Sequence, residues 1–165
     1  MEISTSTNLM AFRPGRDRLP PEMSNDSCAK AGYRVMAMNF CIAMNPDSPM
    51  RRGDWQEYVV YLGDYAAQRG VSFRQSHLPY YDVYGERDTG RRELMETLIR
   101  RSIIGSGMLG VRWAVTHPFT ASPADRAENL RRNLDHYDTH VAMAAGRGLG
   151  IALENDFAPA GGYAY

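Results

Sequence analysis

Two histidines and a glutamate each close an apolar, strand-like run that follows a helix-like run. The three endings are Ser76-His77-Leu78-Pro79-Tyr80, Thr116-His117-Pro118-Phe119 and Ala152-Leu153-Glu154-Asn155. In a parallel α/β sheet, side chains at the carboxyl ends of the strands gather on one rim, where ligands bind and catalysis occurs. Two imidazoles and a carboxylate on such a rim are the donor types that hold a divalent metal. Asn39 closes a further run and is placed either to reach the same pocket or to make a turn.

These residues need elements to position them, and the chain supplies strands and helices in alternation. Ile3 to Leu9 reads as a first strand, followed by a loop with Pro14, Gly15, Pro20 and Pro21. Glu22 to Ala31 reads as a short helix stopped at Gly32, and Arg34 to Cys41 as the second strand. The second helix is expected to start at an Asp54 cap answered by Glu57, with Trp55, Tyr58, Val59, Leu62, Tyr65 and Ala66 on one stripe. Val71 to His77 follows as the third strand. Arg91 to Met108 is expected as the third helix, its last turn loosened by Gly105 and Gly107 where it approaches the sheet.

Val111 to Thr116 is the fourth expected strand. Ser122-Pro123-Ala124-Asp125 has the form of a helix start, and Leu130, Leu134, Tyr137, Val141 and Ala144 trace its expected buried stripe. Gly150 to Leu153 is the fifth strand. Strands alternating with helices of ten or more residues imply right-handed crossovers and one parallel sheet.

Other residues have plainer expected roles. By strict alternation Phe73 and Trp113 share the histidines' face of the sheet and fill its interior. Arg74 falls on the helix-facing side unless a bulge shifts the parity. His136 and His140 are spaced i, i+4 on a helix but do not form H-E-x-x-H, and are expected as surface histidines away from the rim. The pairs Arg51-Arg52 and Arg91-Arg92 read as solvated, with a phosphate grip as the alternative.

Composition narrows the function classes. The 165 residues are enough for one domain with a real core, and 44% apolar with 23% charged residues describes a globular chain. Lys plus Arg equals Asp plus Glu at 19 each, which gives no electrostatic reason to expect nucleic acid or an anionic membrane as partner. No run is long and apolar enough to span a bilayer, and the first residues lack the basic and apolar regions of a secretory signal. Cys28 and Cys41 form no C-x-x-C pair and read as reduced thiols, so a cytoplasmic location is expected.

The order strand-His77-x-Pro79-Tyr80, helix, Leu109-Gly110-Val111, strand-Thr116-His117-Pro118, long helix, Gly148-Leu149-Gly150-Ile151-Ala152-Leu153-Glu154-Asn155 resembles the xylose isomerase-like TIM barrels. That superfamily holds sugar and sugar-phosphate isomerases and epimerases, and zinc nucleases of the endonuclease IV type. The resemblance runs from about Ala29 onward and implies an incomplete (β/α) barrel, about five of eight βα units, in a single partial domain over residues 1–165. A full barrel has eight units and about 250 residues. The ligands that the family draws from later strands have no counterpart here.

On this resemblance Glu154 is a metal ligand and the acid–base residue. His77 and His117 are metal ligands in the manner of the nuclease branch or line the substrate pocket with Asn39 in the manner of the sugar branch. The ion would be Mn²⁺, Mg²⁺, Co²⁺ or Zn²⁺, and the substrate a sugar or sugar phosphate isomerised or epimerised by proton transfer through an enediolate. The alternatives are a zinc phosphodiesterase or hydrolase and a non-catalytic truncated barrel that binds a partner. Because five strands cannot close an eight-strand barrel, self-association or completion by another chain is expected.

Overall fold

A computed structural model describes residues 4–10, 20–119 and 125–154. Ile3, Pro14, Gly15, Ser122–Ala124 and Asn155, which carry parts of the sequence expectations, lie outside these residues.

Five parallel strands form one sheet in the order β1-β2-β3-β4-β5: β1 Ser4–Ser6, β2 Val35–Asn39, β3 Ser72–His77, β4 Trp113–Thr116 and β5 Gly150–Leu153. Consecutive strands are neighbours, as in a barrel wall, and β1 and β5 are the two edges of the described sheet. Helices α1 Pro21–Lys30, α2 Trp55–Ala67, α3 Thr89–Met108 and α4 Arg126–Ala145 are the intervening crossovers. The alternation of elements predicts this parallel sheet with helical crossovers, and the family resemblance implies its partial (β/α) barrel form.

The core lies between the sheet and its helices. Met36, Met38, Phe73 and Ala114 from the strands pack with Val59, Leu62, Leu98 and Ile103 from the helices. Met36 pairs with Phe73 but Ala37 with Gln75, so Arg74 is the extra residue of a β-bulge. The bulge corrects the parity expected for β3. Phe73 turns to the helix layer and is buried, while Arg74 is exposed and avoids a charge in the core. Ser76 then faces α3 and meets the Ser106 hydroxyl at 2.7 Å, which itself donates to the Ser102 carbonyl.

Trp113 stays on the opposite, inner face, where it is 56% exposed. It pairs with Gly150 on β5, and a Cβ at Gly150 would stand 2.4 Å from the indole ring. Glycine is needed there because the ring lies against the neighbouring strand's backbone.

Two helix starts differ from expectation. Asp54 makes no side-chain cap bond at α2. At α4, Asp125 is the cap, accepting from the Glu128 amide at 2.9 Å. Asp88 does the same for α3 through the Arg91 amide. The close approach at Gly105 is to the Phe40 ring and Val59 rather than to a strand.

The buried face of α4 is also not the expected one. Asn129, Asn133, Tyr137, His140 and Ala144 face inward, whereas Leu130, Leu134 and Val141 are 57%, 61% and 47% exposed. Polar residues occupy the inner face because they have partners there. Asn133 accepts from the Phe119 amide at 3.0 Å and donates to the Phe119 carbonyl at 2.8 Å, holding the chain that leaves β4.

Candidate metal centre at the strand ends

His77 is the last residue of β3, His117 follows β4, and Glu154 follows β5. Parallel pairing sets Asn39 beside His77 and Val115 beside His77 on its other flank. The rim therefore gathers side chains from successive strands, and donor atoms of His77, His117 and Glu154 lie within 4.8 Å of one another. The two imidazole Nε2 atoms are 3.0 Å apart, and His77 Nε2 is 3.9 Å from a Glu154 carboxylate oxygen.

The neighbours of His77 decide which nitrogen is available. Its Nδ1 lies 3.0 Å from the Leu78 carbonyl, which can only accept. Nδ1 thus carries the proton, and Nε2 presents its lone pair to His117 and Glu154. Metal-bound histidines are oriented in this way, with the far N–H tied to a carbonyl. Burial lowers the His77 pKa and the nearby His117 adds to this, against opposing contributions from the Leu78 carbonyl and Glu154. The imidazole is therefore held in its neutral, ligating form. Convergent Nε2 atoms, a fixed tautomer and a carboxylate make a donor set that fits a divalent transition metal.

Asn39 is on the rim but is occupied locally. Its carboxamide oxygen accepts from the Cys41 amide at 2.8 Å, and its own amide donates to the Thr7 hydroxyl at 2.9 Å. It closes the turn leaving β2 beside His77.

Sequence reasoning gave no site role to Cys41 or Tyr80. Cys41 donates its thiol to the Leu78 carbonyl at 3.4 Å and stands 3.5 Å from His77 Nδ1, so it shares the group that orients the histidine. Burial pushes this thiol up to about 11, which makes it a packed donor rather than a nucleophile. The Tyr80 ring packs on His117 with centroids 4.4 Å apart. Its place in the His-x-Pro-Tyr run was the available signal. Tyr80 also borders a cavity of about 570 Å³, whose wall includes Arg51, Asp82, Arg91 and Leu94.

No protein-family model and no curated protein matches the sequence. Solved structures do match in fold. A D-psicose 3-epimerase crystallised in the presence of D-fructose superposes with a TM-score of 0.65 at 11% identity, over 93% of this chain and 52% of that one. A xylose isomerase domain protein from Alicyclobacillus acidocaldarius gives 0.64 at 14% identity, over 97% and 52%. The IolI protein with a bound zinc atom gives 0.59 at 16% identity, over 93% and 51%. The chain shares the fold of the matched part of these proteins and spans about half the length of each.

Proposed function

We propose that this chain carries the metal-binding rim of a sugar isomerase or epimerase. The observation that carries this reading is the convergence of His77 Nε2, His117 Nε2 and the Glu154 carboxylate at the carboxyl ends of three successive parallel strands. The similarity in fold to a D-psicose 3-epimerase and to a zinc-containing barrel supports it.

His77, His117 and Glu154 would hold the ion, which when bound would polarise the substrate's oxygens and favour loss of a proton beside the carbonyl. Glu154 is exposed enough, at 57%, to face a ligand and is the group we assign to take and return that proton. The Leu78 carbonyl and Cys41 keep His77 turned toward the ion. Tyr80 forms an aromatic wall, and Arg51 on the adjoining cavity suits an anionic substituent such as a phosphate, while Arg91 there is paired with Glu86 at 3.0 Å.

The open inner face, with Trp113 exposed and β1 and β5 as edges, supports association with a second copy or completion of the barrel by another chain. Among the described residues no helix is long and apolar enough to cross a membrane. Cys28 and Cys41 are free thiols, in keeping with a reducing, cytoplasmic setting.

The test is exchange of the α-carbon hydrogen of ketoses and ketose phosphates with solvent deuterium, with Mn²⁺ or Zn²⁺ present. Exchange that depends on the ion and disappears in Glu154→Gln is expected. Exchange that persists with excess chelator would contradict the proposal.

A further inference from the structure

Glu96, His136 and His140 form a second cluster, between α3 and α4, and we propose that it is a zinc site fastening the two helices together. His136 and His140 are one turn apart on α4, so both rings leave the helix on one side. Contrary to the sequence expectation, that side is the buried one. The His140 side chain is 4% exposed and that of His136 is 11% exposed.

Both rings meet the Glu96 carboxylate. His140 Nε2 is 3.1 Å from one oxygen, and His136 Nδ1 is 4.0 Å from the other. Ligand atoms of all three residues lie within 4.8 Å of one another. In a tetrahedral zinc site with bonds of about 2.0–2.1 Å, adjacent ligand atoms stand roughly 3.3 Å apart. The observed separations fall on either side of that spacing.

A simple Glu–His hydrogen bond accounts for His140 but not for His136. At 4.0 Å the His136 nitrogen is beyond hydrogen-bond reach of Glu96, yet its ring is buried at a desolvation cost. A shared ion gives that burial a purpose. The surroundings suit one. Tyr81 donates to the Glu96 carboxylate at 2.7 Å, an outer contact that fixes a ligating oxygen. Phe119 and Tyr137 pack edge-on against the His136 ring, with centroids at 5.1 and 4.7 Å, and hold its orientation. The buried His140 ring has Glu96 as its partner at Nε2, so that contact is the ring's polar anchor. Glu96 keeps 26% of its side chain exposed, which leaves a route for the ion and a fourth position for water.

The test separates this site from the rim. In a chain with His77→Gln, His117→Gln and Glu154→Gln, equilibrium dialysis should still find one Zn²⁺ per chain. Co²⁺ at the same site should give the visible absorption of tetrahedral cobalt. Adding Glu96→Gln or His136→Gln should weaken binding at least tenfold. No zinc on the rim-substituted chain, or zinc binding indifferent to both substitutions, would overturn the proposal. Should the rim-substituted chain lose its far-ultraviolet dichroism, His136→Gln alone in the otherwise native chain should lower the bound zinc by one ion, and an unchanged count would overturn it equally. Failure of the rim to bind metal leaves this result untouched.

Discussion

His77 and His117 present their Nε2 nitrogens to each other at 3.0 Å from the ends of adjacent strands. The Leu78 carbonyl holds the proton of His77 on Nδ1, so one proton at most lies between the two rings. A second would set two N–H donors against each other. His77 therefore turns a bare Nε2 to the rim, as an imidazole metal ligand must.

Glu154 is the one carboxylate among the three rim donors. Its conversion to Gln keeps the shape and removes the anion. Calorimetric titration with Zn²⁺ or Mn²⁺ should show affinity at the rim falling by at least the tenfold loss typical of disturbed metal sites. A rim affinity equal to wild type would remove Glu154 from the ligand set.

Acid should destabilise the metal-free protein in a defined window. Burial lowers the pKa of His77 and brings that of His136 down to about 4, against opposing contributions from Leu78 and Glu154 at His77 and from Glu96 at His136. Unfolded, both titrate near 6.5. Between pH 6.5 and about 4 the unfolded chain binds more protons, so stability present above pH 6.5 is lost as pH falls. Burial would raise Glu96, but hydrogen bonds from His140 and Tyr81 outweigh it and hold the carboxyl at about 2, so the loss continues below pH 4.5. Urea midpoints measured from pH 7 to 4 with chelator present should fall steadily, and less steeply in His136→Gln. A flat profile would count against the buried histidines.

Gly105 on α3 is a packing glycine. A Cβ there would stand 3.1 Å from Phe40 Cζ and 3.3 Å from Val59 Cγ2, and both residues are fully buried. Alanine should gain about 1 kcal/mol of helix propensity and lose about 1–3 kcal/mol to overpacking. A net destabilisation of roughly 1 kcal/mol is expected from chemical denaturation. A more stable variant would show that the Phe40 ring yields.

Leu130, Leu134 and Val141 form an exposed apolar stripe on α4, and Trp113 and Leu153 leave further apolar surface beside β5. Surfaces of this kind promote association. Light scattering should find the chain above monomer mass, and Leu134→Lys combined with Trp113→Lys should lower that mass. A monomeric wild-type chain would refute the association.

The sheet and the rim were legible because β2, β4 and β5 are short, mainly apolar runs, and because rim chemistry needs polar residues where the strands end. Gly150–Leu153 appears within the bounds read from the sequence. Arg74 was visible as an anomaly, but pairing was needed to show that a bulge resolves it and carries Phe73 to the other side. The α4 face was misread for a physical reason. Apolar periodicity pointed to Leu130, Leu134 and Val141, which stay exposed, whereas Asn133, Tyr137 and His140 face inward through specific partners. The second cluster was hidden by the same error, since its third member lies on another helix, 40 residues from His136 in the chain.

The two tryptophans of this protein occupy opposite environments. Trp55 is 8% exposed within the core, and Trp113 stands 56% exposed on the inner face of the sheet. Long-wavelength fluorescence therefore belongs to Trp113. Any chain or ligand that covers the sheet will shift that emission toward the blue, giving the molecule an optical gauge of whether its barrel is filled.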